Sequence, residues 1–173
     1  DSIFPALAVY GFNANPIISG LTTTGGKKGL DVASSASGSF SNSVFRDSKE
    51  HGINISTTGT VIIDNNSIVN NTQAGILLSI AASGTIIINN IVRHNNGGGI
   101  WIYANADNPA IQNNLIVENT SNSFGGGVLL ANDSHAEISG NTIAGNHMLG
   151  SGAGLYVAAS ASAVLNDNII WNN

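Results

Sequence analysis

Residues 87–102 read IINNIVRHNNGGGIWI, and both halves of that stretch recur along the chain. In the first half, Ile87, Asn90, Val92 and Asn95 follow the pattern I-x-x-N-x-[IV]-x-x-N. The second half, Gly99-Ile100-Trp101-Ile102, is a small residue followed by apolar–x–apolar. That second pattern also appears at Ala6-Leu7-Ala8-Val9, Gly29-Leu30-Asp31-Val32, Gly52-Ile53-Asn54-Ile55, Gly75-Ile76-Leu77-Leu78, Gly127-Val128-Leu129-Leu130 and Gly154-Leu155-Tyr156-Val157. Successive starts are 23, 23, 23, 24, 28 and 27 residues apart. The Asn pattern returns around Asn66, Asn114, Asn141 and Asn168, with a degenerate copy read at Asn42, Val44 and Asp47. Its steps of 24, 24, 24, 27 and 27 keep phase with the first set. Two independent signals on one drifting period mark a solenoid.

Each position has a physical reading. Apolar–x–apolar turns two side chains inward and one outward, as a strand does. One coil buries too little apolar surface to fold alone, so coils must stack into a common core. Equivalent positions then lie about 4.8 Å apart, close enough for in-register Asn side chains to form a hydrogen-bonded ladder. The expected ladders are Asn42, Asn66, Asn90, Asn114, Asn141, Asn168 and Asp47, Asn71, Asn95, Asn119, Asn146, Asn173. The repeated Gly is expected at corners where φ is positive. The fold class is therefore all-β, a right-handed parallel β-helix of about seven coils with no caps visible.

This alternation of motifs resembles the right-handed β-helix repeat proteins of the pectin-lyase-like superfamily, over roughly residues 6–173. The resemblance implies the fold. It leaves activity open, because such proteins include polysaccharide lyases, hydrolases, epimerases, adhesins and structural repeats. Similar lyases use clustered acids for Ca²⁺ with an Arg or Lys base, and similar hydrolases use several Asp on neighbouring strands. Neither set is visible here. His51-Gly52-Ile53 is similar to a step found in polygalacturonases, but it fills an ordinary repeat position. Tyr10-Gly11-Phe12 is similar to one in alginate epimerases, but Asn13-Ala14-Asn15 follows it without an acid.

Composition agrees with a turn-rich β chain. Of 173 residues, 9% are charged, 42% are hydrophobic and 21 are Gly. The formal net charge of −5 and the lack of any basic run point away from nucleic acid and from anionic membranes. The absence of Cys excludes disulfides and thiolate metal sites. No apolar run approaches the roughly 20 residues of a membrane-spanning helix. Residues 1–173 are read as one domain, and the absence of capping elements leads us to expect a segment of a longer protein.

Three groups of side chains are candidates for chemistry or binding. His94 and Glu118 fall on adjacent coils with Arg93 beside them, as a base and its orienter would, or as a surface ion pair. Asp107, Asp133 and His135 lie in turns whose oxygens could hold Ca²⁺, although such turns also arise for backbone reasons. The third group is a stripe. The outward row runs Ala8, Asp31, Asn54, Leu77, Trp101, Leu129, Tyr156, polar early and apolar late, with Tyr103 beside Trp101. Beside its later half the leg between motifs lengthens from 9 to 13 residues, in two stacked loops carrying Phe124, Met148 and Leu149. Insertions on one face of a solenoid often mark its binding face. The loops either bury the stripe, pack it against another domain, or leave Trp101, Tyr103, Leu129, Tyr156 and Phe124 to stack on a glycan.

The leading expectation is an extracellular β-helix module, secreted or on a bacterial or archaeal cell surface, that binds carbohydrate without catalysis or acts as a scaffold. No cofactor is required, Ca²⁺ being the exception to test. The expected partner is a polysaccharide or another domain of the same protein. One alternative is a polysaccharide lyase or glycoside hydrolase acting on polyuronides. Another is a structural module that associates head to tail through its open ends.

Overall fold

In the computed structural model, which describes residues 3–80, 84–103 and 107–173, apolar–x–apolar segments form strands that pair only with their counterparts one repeat away. Three sheets of seven parallel strands result. The first runs from Leu7–Tyr10 through Ile53–Ser56 and Ile100–Ile102 to Leu155–Val157. The second runs from Ile17–Ser19 to Ser162–Asn166, and the third from Thr22–Thr24 to Ile169–Trp171. Seven coils of a parallel β-helix account for every described strand except Thr120–Ser121 and His147–Met148, which pair with each other in the enlarged loops.

Register follows the hydrophobic pattern. Leu30, Ile53, Ile76, Ile100 and Val128 form one inward column, and all are fully buried. Phe40, Ile63, Ile87, Ile111 and Ile138 form another from the second sheet. Phe45, Ile68, Val92, Ile116 and Ile143 complete the core from the third. Burying each such side chain contributes about 1.5–3 kcal/mol.

Both Asn ladders are present, with one correction. Asn90 Nδ2 donates to Asn114 Oδ1 in the next coil (3.0 Å) and to the Ile63 carbonyl in the previous one (2.8 Å). Its own Oδ1 accepts from Asn66, so each rung joins three coils. The Asn71, Asn95, Asn119, Asn146, Asn173 ladder repeats the scheme. The lowest members are not Asn42 and Asp47. Ser43 and Ser48 occupy those places, their backbone N–H groups donating to Asn66 Oδ1 and Asn71 Oδ1 (both 3.0 Å). Asn42 and Asp47 are exposed, at φ 50° and 54°. They belong to two further columns, one residue before each ladder, where the backbone is left-handed: Asn42, Asn65, Asn89, Asn113, Gly140, Asp167 and Asp47, Asn70, His94, Glu118, Gly145, Asn172. Asn, Asp and Gly tolerate that conformation best. The asparagines of the repeated Asn motif thus divide between inward rungs and outward corners.

The repeated glycines require a second correction. Gly29, Gly52, Gly75, Gly99, Gly127 and Gly154 are not among the positive-φ residues. They are small because the next coil lies on them. A Cβ on Gly29 would sit 2.5 Å from the Gly52 carbonyl oxygen, and one on Gly127 would sit 2.4 Å from that of Gly154.

Candidate functional site

The outward row of the first sheet holds register from Ala8 through Asp31, Asn54, Leu77, Trp101 and Leu129 to Tyr156. The turns on either side give this one column three different environments.

At its early end lies a polar network that sequence analysis missed. The Asp31 side chain is 9% exposed, and both its oxygens are taken. Tyr10 Oη donates to Oδ2 (2.7 Å), Lys28 Nζ donates to Oδ2 (3.0 Å) and Asn54 Nδ2 donates to Oδ1 (2.7 Å). Burial alone would raise the Asp31 carboxyl, but bonds from Asn54, Tyr10 and Lys28, with the Lys28 charge, outweigh it and hold the group below its usual range. The bond to Asp31, burial and the carboxylate's charge push Tyr10 up to about 12. At neutral pH this is an ionised carboxylate saturated with donors and a firmly protonated phenol, which pins the Tyr10 strand to the next two coils. Asp31, with its folded value depressed, stabilises above about pH 4 and loses that contribution as pH falls through the folded value. Tyr10, with its folded value raised, stabilises below about pH 10 and loses that contribution as pH rises through about 12. Melting followed against pH should therefore show an alkaline decline that Tyr10→Phe reduces, the remainder including Tyr103, whose phenol is also pushed up by burial.

The middle of the row opens into a groove of about 440 Å³ lined by His51, Gln73, Leu77, Ser79, Gly97, Trp101 and Tyr103. Trp101 and Tyr103 meet edge to face, ring centroids 5.6 Å apart at 65°. The indole Nε1 donates to the Gly125 carbonyl (3.2 Å), which fixes the ring against the first enlarged loop. His51 lies at the wall. Burial lowers its pKa, against the opposing charge of Glu50, and its Nδ1 is buried with no hydrogen-bond partner. His51 and Gln73 precede the repeat glycines Gly52 and Gly75, so they occupy turn positions on the rim of this face. That offset was available in the repeat spacing.

At the late end the stripe is covered. Leu129 is 1% exposed and cannot touch a ligand, contrary to its expected place in a glycan platform. Gly125 in the first enlarged loop presses on it, since a Cβ there would lie 2.6 Å from Leu129 Cβ. The loops are tied together by the Thr120–Ser121 and His147–Met148 pairing, and Met148 is buried. Phe124 stacks on Tyr156 at 4.8 Å and remains partly open, while Leu149 is exposed. The loops therefore bury the stripe at Leu129 and leave it open at Trp101 and Tyr103.

The other candidates lie elsewhere. His94 Nε2 is 3.2 Å from Glu118 Oε2, on side chains 43% and 61% exposed. Both residues sit at left-handed corners, φ 54° and 55°, where a long side chain is strained. Arg93 and Glu118 border a second groove, about 500 Å³, across the third sheet, with Ile91, Leu115, Val117 and Trp171. Sequence analysis missed this groove, although its signal lay in apolar residues at outward positions of the Asn motif. Asp107 and His135 are backbone neighbours in the second sheet, but the Asp107 side chain lies outside the described residues. Asp133 is an exposed corner at φ 56°, and His135 Nδ1 meets Ser162 Oγ at 2.6 Å. Among the described residues, no three His, Asp or Glu side chains converge as a metal site would require. No helix among them is long and apolar enough to cross a membrane.

Comparison with known proteins bears on the fold. The A-module of a mannuronan C-5 epimerase, AlgE4, from Azotobacter vinelandii superposes with a TM-score of 0.70 over 96% of this chain at 17% identity. The chain spans 54% of that module's length. No curated protein sequence matches. The family profile described as "Right handed beta helix region" matches residues 6–143, most of the coils built above. On that match, the chain belongs to the right-handed β-helix family.

Proposed function

We propose that this chain is a non-catalytic carbohydrate-binding β-helix working outside the cell, with the groove beside Trp101 as its binding site. The observation that carries the reading is the pairing of two fixed aromatic rings with polar groups on one open wall. Trp101 and Tyr103 stand over Leu77, and His51, Gln73 and Ser79 line the same groove. Sugar rings have an apolar C–H face that suits an aromatic platform, and hydroxyls that suit uncharged amide, imidazole and hydroxyl partners. The indole is already held by Gly125, so little side-chain freedom remains to be lost on binding. The likeness to a mannuronan epimerase module adds that this fold carries polysaccharide chemistry elsewhere.

Trp101→Ala should weaken binding of a responding oligosaccharide by about 2 kcal/mol, roughly 30-fold, as loss of a central aromatic does. Trp171→Ala, in the groove of the third sheet, should leave it unchanged. Titration calorimetry against a glycan panel, with melting curves for each variant, checks both. Release of shortened or unsaturated products in the same incubations would overturn the non-catalytic reading. If no glycan binds, or if Trp101→Ala binds as tightly as the parent chain, the groove is not the site.

A further inference from the structure

On that reading, the charges around the groove say which glycans it takes. The chain has only five Lys and Arg residues, and none of them lines the groove, nor does any Asp or Glu among the described residues. Lys28, on the same face, is bonded to Asp31 at 3.0 Å, and Lys27 lies 3.4 Å from Glu50. Arg46 is 3.7 Å from Asp47 at a corner, Arg93 borders the groove of the third sheet instead, and Lys49 is an exposed residue outside the lining of this groove. His51 is the remaining source of positive charge at the wall. A charged imidazole carries a proton on both nitrogens, and the His51 Nδ1 is buried and forms no hydrogen bond, the Ala74 carbonyl favouring the charged ring less than burial disfavours it. Burial lowers its pKa in the same sense. His51 therefore presents a neutral ring at pH 7.

We infer that the groove selects uncharged glycans and excludes polyuronides and other carboxylated chains. A carboxylate placed against Leu77, Trp101 and Tyr103 would lose water and gain no cation, a penalty that an uncharged hydroxymethyl group escapes. The inference rests on the carbohydrate-binding reading but is separable from it. It also sets this chain apart from the mannuronan epimerase module whose coils it resembles, because mannuronan is itself a polyuronide.

The test uses matched oligosaccharides of equal length and linkage in the gluco, manno and galacto series. Within each pair only C6 changes, from hydroxymethyl to carboxylate. Binding is measured by calorimetry at pH 7 and scored as the part that Trp101→Ala abolishes. The expected result is that at least one neutral member binds about 10-fold more tightly than its uronate partner. A second arm uses Gln73→Lys, which places a cation on the exposed rim of the groove. It should narrow that gap within each pair, because the loss of the Gln73 amide is common to both partners while the new cation favours the uronate alone. Uronates that bind as tightly as their neutral partners would overturn the inference and leave the carbohydrate reading standing. So would discrimination that Gln73→Lys leaves untouched, because the selection would then not be electrostatic. Failure of every sugar in both series would remove the carbohydrate reading and this inference together.

Discussion

Replacing Asn114 with Ala is expected to lower the stability of the chain by about 3–5 kcal/mol, because four buried hydrogen-bonding groups lose a partner at once. The Asn114 Oδ1 accepts from the Asn90 backbone N–H (2.8 Å) and from Asn90 Nδ2 (3.0 Å). Its Nδ2 donates to the Ile87 carbonyl (2.9 Å) and to Asn141 Oδ1 (3.0 Å). Asn90 Nδ2 keeps other partners, the Ile63 and Ile88 carbonyls, so its loss is shared. The Asn90 N–H has no such substitute among its described bonds and sits where water does not reach, Asn90 being 1% exposed. For a chain of this size each kcal/mol moves the melting temperature by about 2–4 °C, so a drop near 10 °C is expected. The neighbouring Asn113 gives the control. It is an exposed corner residue at φ 54°, and Asn113→Gly should change stability by only a few tenths of a kcal/mol. Equal effects at the two positions would mean that the ladder is ornament and the corner is the structural element.

That contrast also shows what the sequence made legible. The inward rung and the outward corner are adjacent Asn residues in three consecutive repeats, Asn65-Asn66, Asn89-Asn90 and Asn113-Asn114. Their chemistry is the same, so composition cannot tell them apart; only the period can. In the early coils the glycine column steps by 23, and counting 23 back from Asn66 reaches Ser43, not Asn42. Residue type favours Asn42 as the rung and spacing favours Ser43, and it is the spacing that the fold obeys. A one-residue shift in a strand exchanges inside for outside, and Asn42 moved to the surface accordingly.

The candidate site was legible in part, and the boundary has a physical cause. Strand register depends on local alternation, so the row Asp31, Asn54, Leu77, Trp101, Leu129, Tyr156 could be assembled without coordinates. Exposure along that row depends on where the turns fold, and turns carry no comparable period. Leu129 and Trp101 are direct neighbours with the same outward direction, yet the chain near Gly125 covers the first and only props the second. Asp31 read as a lone surface acid because its partners Tyr10, Lys28 and Asn54 come from three coils. Lys28 was the nearest clue, three residues away on the same turn.

Gly99→Ala should be about as damaging as loss of a ladder rung, at roughly 3 kcal/mol or more, although it adds a single methyl group. The residue is not in the left-handed region, so an L side chain meets no backbone penalty there. In open space the change would stabilise by about 0.4–1 kcal/mol, by restricting the unfolded chain. The space is not open. The new Cβ would lie 2.5 Å from the Gly127 carbonyl oxygen, 2.7 Å from Ile116 Cγ2 and 3.1 Å from Asn119 Nδ2. Moving the carbonyl aside would break the bond that it accepts from the Ile100 N–H (2.9 Å). Moving the amide would disturb the second ladder, where Asn119 holds Asn95, Asn146 and the Val92 carbonyl. The sequence contains its own check on this account. The first coil has Ala6 where later coils have Gly, and there the positions that crowd the column differ. Thr23 stands in the row of Phe45, Ile68, Val92 and Ile116, and Gly26, one residue past the Gly25 corner, stands in that of Ser48, Asn71, Asn95 and Asn119. A Cβ added to Gly26 would in turn fall 2.9 Å from Ala6 Cβ. One methyl group fits on either side of that contact, but not alongside an Asn amide and an Ile. Melting of Gly99→Ala beside Gly99→Ser and the parent chain tests the point, both variants being expected to melt at least several degrees lower. An unchanged melting temperature for Gly99→Ala would show that the coils have slack at this corner and that their glycines answer to something other than close approach.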